Sequence, residues 1–182
     1  TLLAQDATPE GTPTSGCAAV APRDERDLQQ LSGPPPAPLG TPGVETTPVA
    51  TPFLMPEGEE ASEEDLAAIT ELYRTFTDCV NSGDFLRVAS LYTDQYLQQN
   101  LSPEQIDALE QTPEPTQESA RTEFVEVRDA RYLDADRIAA LVVTSNPQSG
   151  ELQSYVELVR AGNGWLIDSS QPLEVGDATP TS

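Results

Sequence analysis

Residues 65–101 read DLAAITELYRTFTDCVNSGDFLRVASLYTDQYLQQNL, and this stretch decides the fold because its apolar side chains recur at helical spacing. Apolar residues three and four apart fall on one face of an α-helix. The first such face comprises Leu66, Ile69, Leu72, Tyr73, Phe76, Cys79 and Val80. Ser62, followed three residues later by Asp65, predicts a capping box at the start of this helix. Residues 63–65 are all acidic, which the helix dipole favours at that end.

Gly83 predicts the end of the first helix, because glycine has no Cβ to clash in the left-handed conformation. Asp84 then begins a second helix, whose apolar spacing continues to about Leu97 through Phe85, Val88, Leu91 and Tyr92. A third, short helix begins at Ser102, where Gln105 completes a capping box. Its inward-facing residues are Ile106 and Leu109, and prolines at 113 and 115 end it.

The last third of the chain changes to the pattern of β-strands. Four segments are rich in β-branched and aromatic residues and are bounded by turn residues: 122–133, 137–145, 152–161 and 165–169. The short loops between them predict an antiparallel meander. Asn163-Gly164 predicts a tight hairpin, because both residue types tolerate positive φ. Helices followed by such a sheet predict an α+β fold, with three N-terminal helices packed on a curved four-stranded antiparallel sheet.

Composition divides the chain into five parts. Residues 1–16 are a polar tail, 17–31 an arm with some apolar anchors, and 32–60 a proline-rich linker. The folded domain takes residues 61–171, and residues 172–182 return to a polar, disordered tail. The linker contains PPPAP, which is also typical of a ligand for SH3 domains, but a spacer is the preferred interpretation. Phe53, Leu54 and Met55 form an apolar trio expected to touch the domain.

Cys17 in the arm and Cys79 in the first helix are the two cysteines of the chain. We expect a disulfide between them, closing a loop of about 60 residues. Two alternatives stay open: unrelated thiols, or a lipidated Cys17. Residues 1–4 are interpreted as the tail of a trimmed secretory signal, and the start without Met and the two cysteines favour an exported protein. Localisation is therefore predicted as extracellular or at the cell envelope.

Charge and composition exclude several classes of function. The formal net charge is −22, and the chain has neither Lys nor His. Nucleic acid and anionic membrane surfaces should repel such a chain, and no apolar run is long enough to span a membrane. Ser-His-Asp and Cys-His pairs, Schiff-base lysines and His-based metal sites are impossible. We predict no catalytic residue, no metal and no cofactor.

Two stretches together resemble a known family. Residues 79–97, CVNSGDFLRVASLYTDQYL, resemble the helix–Gly-Asp–helix signature of NTF2-like domains of the SnoaL and ketosteroid-isomerase type. Residues 150–170, GELQSYVELVRAGNGWLIDSS, resemble their last two strands. The resemblance implies a cone, in which a curved sheet wraps a long helix and leaves a mostly apolar pocket. It also implies dimerisation through the sheet as a possible mode of assembly.

The sequence departs from the isomerase branch at both catalytic positions. Phe76 falls where that branch has a tyrosine that donates to the substrate, and Gln99–Asn100 fall where it has its general base. Phe cannot donate a proton and an amide cannot accept one near neutral pH. The resemblance therefore implies a non-catalytic binding or interaction domain. A cyclase- or isomerase-like enzyme using a pocket carboxylate with a tyrosine is the alternative, and a cone filled by its own side chains is a third.

Aromatic residues with polar tips suit a pocket that holds a small apolar ligand by one hydrogen bond. The predicted pocket comprises Tyr73, Phe76, Tyr92, Tyr96, Leu101 and Trp165. The same residues are more typical of an ordinary core than of a ligand site. The carboxylates Asp134 and Asp136 are interpreted as a solvated hairpin tip rather than a cation site, and Asp168 as a surface or capping residue.

Overall fold

The computed structural model describes residues 16–31, 54–102, 105–106 and 113–173. Its helices of four residues or more are a 3-10 turn at Gly16–Ala19 and the α-helices α1 (Glu25–Leu31), α2 (Glu63–Ser82), α3 (Phe85–Ala89) and α4 (Asp94–Asn100). A 3-10 turn at Glu118–Ala120 precedes the strands β1 (Glu123–Tyr132), β2 (Arg137–Asn146), β3 (Gly150–Ala161) and β4 (Gly164–Leu173). The α+β class predicted from the sequence is confirmed.

The four strands form one antiparallel sheet in the order β1-β2-β3-β4, as the sequence predicted. The last hairpin differs in detail. Ala161 pairs with Gly164, so the loop residues are Gly162 and Asn163, and Gly162 supplies the positive φ at +60°. The predicted hairpin is present, but its positive φ lies before Asn163, because glycine adopts that conformation at a lower cost than asparagine.

The main core lies between α2 and one face of the sheet. Ile69 and Tyr73 of α2 meet a set of buried sheet residues: Ile138, Ala140, Val142, Val156, Leu158, Trp165 and Ile167. Phe76 is half-buried and packs against the same cluster. Each fully buried aliphatic side chain contributes about 2 kcal/mol through removal of its surface from water. The helical stripe and the alternating strands are therefore two halves of one core.

Asn81, Gly83 and Asp84 form the connection between α2 and α3, and each has a structural role there. Gly83 has φ +71°, and a Cβ there would lie 2.3 Å from the carbonyl oxygen of Glu114. The Asn81 amide donates to the carbonyl of Thr122 at 2.7 Å and accepts from its N–H at 2.9 Å. Asp84 caps α3 by accepting from the N–H of Arg87. These residues fix the chain path without leaving a group free for chemistry.

The second helix is not continuous, which corrects the prediction of one helix from Asp84 to about Leu97. It is divided into α3 and α4 by residues 90–93, although the apolar spacing continues through the break. The cause is β4: Ile167 donates its N–H to Leu91 O, and Thr93 donates its N–H to Ile167 O, both at 2.9 Å. Thr93 then caps α4 by accepting from the N–H of Tyr96. Periodicity alone does not report such a tertiary contact.

The arm docks on the helices and is covalently tethered. Cys17 and Cys79 form the predicted disulfide, with their Cα atoms 4.8 Å apart. Leu28 of α1 is 1% exposed and packs in a second cluster with Ala89, Leu97 and Ile106. On the chain-entropy model, a loop of this length stabilises the fold by about 4 kcal/mol. Residues 16–31 are thus part of the folded unit.

Boundaries of the predicted parts shift slightly. Tyr132 donates its N–H to Glu59 O and Ala61 donates its N–H to Ala130 O, both at 2.9 Å, so the last residues of the predicted linker pair with the edge of β1. β4 continues to Leu173, two residues past the predicted domain end. Leu54 is 82% exposed, contrary to the expectation that it touches the domain.

Several other predicted parts lie outside the described residues: residues 1–15, 32–53 and 174–182, together with Leu109 of the predicted third helix. The start of that helix is described. Ser102 accepts from the N–H of Gln105, and the Gln105 side chain accepts from the N–H of Ser102 at 2.8 Å. The predicted capping box is therefore confirmed.

Candidate functional site

Four aromatic rings from the predicted pocket form a continuous row from the core to the surface. The ring centroids of Tyr73 and Phe76 are 5.8 Å apart, and those of Phe76 and Tyr92 are 6.1 Å apart, both edge-to-face. Tyr92 and Tyr96 are stacked at 4.4 Å with nearly parallel planes. Helical spacing places the first two rings on one face of α2. The break before α4 brings the other two together.

An open cleft lies at the outer end of this row, between α3 and α4. Its volume is about 220 Å³, and it is lined by Phe85, Val88, Ala89, Tyr92, Tyr96, Leu97, Asn100 and Leu101. Three residues of the predicted pocket, Tyr92, Tyr96 and Leu101, therefore share one cleft. Asn100 donates its side-chain amide to Tyr96 O at 2.9 Å. The two tyrosine hydroxyls are the polar tips in a lining that is otherwise mostly apolar.

The tyrosine hydroxyls of the row are neutral donors. Burial raises the pKa of Tyr92 and of Tyr96, and the two hydroxyls lie close enough to affect each other. Burial, with further contributions from Tyr92 and Tyr96, raises the pKa of Tyr73 well above its usual value. A phenol with a raised pKa stays protonated near neutral pH. The row can donate hydrogen bonds, but it supplies no general base.

Tyr73 is distinctive because its buried hydroxyl has no partner in the part of the chain that the structure describes. The residue is 5% exposed, and its oxygen has no hydrogen-bond partner among the described residues. A buried donor left unsatisfied costs about 1–3 kcal/mol. Buried polar groups are nearly always satisfied, so this exception requires an explanation.

The remaining members of the predicted pocket lie elsewhere. Tyr73 and Phe76 belong to the main core, behind the cleft rather than in its lining. Trp165, 5% exposed, lies on the same core but hydrogen-bonds to Asp65 at the N-terminal end of α2. The sequence-based set thus separates into a cleft group and a core group.

Asp65 is the centre of a buried polar cluster that the sequence analysis missed. It is 9% exposed and accepts hydrogen bonds from the Tyr132 hydroxyl at 2.5 Å, Trp165 Nε1 at 3.1 Å and Ser62 Oγ at 3.1 Å. The Arg160 guanidinium lies 3.1 and 3.2 Å from its two oxygens. Arg160 also stacks over the Trp165 ring, with its guanidinium carbon 4.3 Å from the ring centroid.

This cluster holds a charged carboxylate rather than a proton-transfer group. The hydrogen bond from Tyr132 is the largest cause of a lowered pKa at Asp65, burial opposes it, and Ser62, Trp165 and Arg160 lower it further. The predicted cap is confirmed, since Ser62 accepts from the N–H of Asp65. Beyond that cap, the sequence predicted for the acidic residues 63–65 only a favourable interaction with the helix dipole. The position of Asp65 in the helix could have indicated its burial, because it lies four residues before buried Ile69 and so on the same face.

A larger polar cleft of about 640 Å³ lies between the start of α4 and the sheet, lined by Thr93, Asp94, Gln95, Arg137, Val159, Leu166 and Asp168. Asp168 accepts from Thr93 Oγ1 at 2.6 Å and lies 4.0 Å from Arg137. Arg137 also pairs with Glu157, which accepts from the Tyr155 hydroxyl at 2.8 Å. Burial, followed by the bond to Glu157, raises the pKa of Tyr155 to about 12. The Asp168 side chain is 16% exposed, so it lies in the wall of this cleft rather than on the open surface.

Asp134 and Asp136 occupy the turn between β1 and β2, as the hairpin-tip interpretation predicted. Asp134 accepts from the N–H of Asp136 at 2.9 Å. Across the described ranges, no group of three or more His, Cys, Asp or Glu residues is arranged to hold a metal ion. Within those same ranges, no helix combines the length and apolarity needed to cross a membrane.

Comparison with known proteins gives little. No protein-family model matches the chain, and no curated protein matches it. Among solved structures, the chain is similar to an "Ntf2 like protein involved in plasmid conjugation", with 12% identity and a TM-score of 0.44 over 70% of this chain. The match covers 48% of that protein, so the chain spans about half of its length. At this TM-score the similarity carries no argument about the present chain.

Proposed function

We propose that this chain is a non-catalytic, exported binding domain with an NTF2-like cone, and that its ligand is a small apolar molecule with one hydrogen-bonding oxygen. The order of elements supports the fold: a long helix, then four sequential antiparallel strands with that helix on one face. The sequence resemblance over residues 79–97 and 150–170 supports it further. The disulfide fits export mildly, because disulfides persist in oxidising compartments.

The cleft between α3 and α4 is the proposed binding site. Its apolar walls with tyrosine tips suit an apolar ring or chain held by one polar contact. Its volume lies below the roughly 300–1,000 Å³ typical of sites for drug-sized ligands, so the occupant should be small. The single observation that carries the proposal is that this mostly apolar cleft has Tyr92 and Tyr96 in its walls, with the hydroxyl of Tyr73 buried behind it and without a partner among the described residues.

The chemistry of the site favours binding over catalysis. The described lining of the cleft includes no carboxylate. Asp65, a buried carboxylate of the described residues, has a lowered pKa and is held by four donors. A general base near neutral pH requires the opposite shift.

The proposal also includes a homodimer through the sheet, on the basis of the resemblance. Light scattering at increasing concentration tests this part, and a mass that stays at 19.5 kDa would remove it.

The binding test uses the oxidised full chain with p-cresol as the probe and toluene as the probe lacking the hydroxyl. We expect p-cresol to perturb the amide resonances of α3 and α4 with a Kd on the order of 1 mM or tighter, and toluene to bind more weakly. Val88→Trp fills the cleft and should abolish binding. Val125→Trp, at an exposed position outside the cleft, is the matched control and should bind normally.

Equal binding by the Val88→Trp and Val125→Trp proteins would exclude the cleft as the site. Wild-type protein that shows no perturbation by p-cresol at millimolar concentration would remove the proposal altogether. A rate of proton exchange or isomerisation catalysed by the protein and lost in Val88→Trp would replace binding with enzymatic function.

A further inference from the structure

The walls of the cleft are two helices that are too short to be stable by themselves. α3 has five residues and α4 has seven, and the polypeptide between them is irregular. Isolated helices shorter than about 12–15 residues are marginal in water, so such helices depend on tertiary packing. The width of the cleft must therefore be set by whatever holds α3 and α4 in place.

The arm, residues 16–31, holds α3 through its backbone. Arg23 donates its N–H to Leu86 O at 3.1 Å, and Arg87 Nε donates to Val20 O at 2.7 Å. Ser90 Oγ donates to Ala21 O at 2.9 Å. These three hydrogen bonds hold α3 and the residue that follows it against residues 20–23 of the arm.

The arm also holds α4, with the same arginine. Arg23 pairs with Asp94 in the first turn of α4, and its Nη2 donates to Tyr92 O at 3.1 Å. Leu28 packs against Ala89 of α3 and Leu97 of α4 in one buried cluster. Ala89 and Leu97 also line the cleft, whereas none of the described arm residues does. The arm therefore spans the two walls from behind.

The disulfide fixes the arm to the rigid part of the fold. Cys79 lies in α2, the long helix of the main core, and is fully buried, while Cys17 is 3% exposed. Gly16 adds a hydrogen bond from its N–H to Asp78 at 3.1 Å. The disulfide and this hydrogen bond therefore connect the arm, and with it α3 and α4, to α2 and the sheet.

We propose that the arm is a positioning element for the cleft, so that the affinity of the cleft for its ligand depends on the Cys17–Cys79 disulfide and on Leu28. This inference rests on the proposed function. Under this proposal the arm controls the affinity of a cleft that it does not line. Loss of the tether lets α3 and α4 separate, which removes the closely spaced walls that a small ligand needs.

The test measures the Kd for p-cresol in the full-length chain. Cys17→Ser/Cys79→Ser and Leu28→Ala are each expected to weaken binding by at least about fivefold, the lower end of typical coupling between sites. Gln30→Ala, an exposed position on the same helix, should leave the Kd unchanged. Arg23→Gln, which keeps the disulfide and Leu28, is the milder variant should the others fail to fold.

A second readout separates this inference from the proposed function. Amide hydrogen exchange at Val88 and Leu97 should accelerate by a larger factor in the disulfide variant than exchange at Val156 in the sheet core, which follows global unfolding. If wild-type protein binds no p-cresol, a larger acceleration at α3 and α4 than in the sheet still upholds the positioning role and places the failure in the proposed ligand. Unchanged exchange, or an unchanged Kd in folded Cys17→Ser/Cys79→Ser and Leu28→Ala proteins, overturns it.

Discussion

Two tyrosines, Tyr132 of β1 beside the N-terminal end of α2 and Tyr73 in the middle of that helix, show how differently two regions of this molecule accommodate a hydroxyl group. At the N-terminal end, the hydroxyl of Tyr132 donates to Asp65 at 2.5 Å, within a cluster completed by Trp165 and Arg160. Further along the helix, the hydroxyl of Tyr73 has no partner among the described residues. The same functional group is thus satisfied in one region and unsatisfied in the other.

The difference indicates which region stabilises the fold and which is suited to binding. A carboxylate held by several donors fixes α2 on the sheet. Removing one of these donors leaves a buried charge that is not fully compensated, which destabilises the fold. An unsatisfied donor behind an apolar cleft costs stability, while the cleft itself presents Tyr92 and Tyr96 to a ligand oxygen. The predictions that follow test this division.

The largest effect is expected from the disulfide, which joins the arm to the cleft end of the molecule. Cys17→Ser/Cys79→Ser should lower the free energy of unfolding by about 4 kcal/mol, because the unfolded chain regains the entropy of a long loop. Urea unfolding without reductant measures this. A loss smaller than about 1 kcal/mol would mean that the arm is held by its noncovalent contacts alone.

The next largest effect is expected from the centre of the polar cluster. Asp65→Asn should lower the free energy of unfolding by about 3 kcal/mol, because Arg160 and the Tyr132 hydroxyl lose their charged acceptor in a buried setting. Glu64→Gln, one residue earlier and exposed, is the matched control and should cost about 0.5 kcal/mol through the helix dipole alone. Similar losses for the two variants would reduce Asp65 to a simple cap.

The stabilisation that Asp65 contributes should decrease on acidification. The pKa of Asp65 is lowered in the folded protein, so its stabilisation is fully present above its unfolded pKa and is lost as the pH falls towards the folded value. The difference in unfolding free energy between wild type and Asp65→Asn should be constant near neutral pH and shrink below roughly pH 4. A difference that grows on acidification would contradict the lowered pKa.

The smallest effects come from comparing the two tyrosines directly. Tyr132→Phe should lower the free energy of unfolding by about 2 kcal/mol, because it removes a hydrogen bond to a charged group. Tyr73→Phe should leave the value unchanged or raise it by up to about 1 kcal/mol, because it removes an unsatisfied buried donor. A loss at Tyr73 equal to that at Tyr132 would indicate that Tyr73 has a partner in solution.

Much of the fold was readable in the sequence because it follows from short-range rules. The phase of residues 66–80, the glycine at 83 and the alternation of four late segments predicted α2, its end and the meander. The N-cap at Ser62 and the capping box at Ser102 were also predicted from neighbouring residues, although the N–H of Ser62 bonds to the Tyr132 hydroxyl rather than to Asp65. The Cys17–Cys79 pair followed from there being two cysteines in the chain.

The candidate site was predicted only in part. Tyr92, Tyr96 and Leu101 share a cleft, but Trp165 belongs to the Asp65 cluster, which the sequence analysis did not identify. The break between α3 and α4 creates the cleft, and it arises from hydrogen bonds of Leu91 and Thr93 to Ile167, more than 70 residues away. Local periodicity carries no information about that contact.

The amino-acid sequence by itself determined the elements, their order and the tether, because hydrophobic period, turn chemistry and cysteine number act between near neighbours or by simple pairing. The tertiary structure alone decided which polar groups are satisfied and where an apolar surface stays open. Those outcomes depend on which distant side chains the fold brings within hydrogen-bonding distance, as it does for Asp65 and does not for Tyr73.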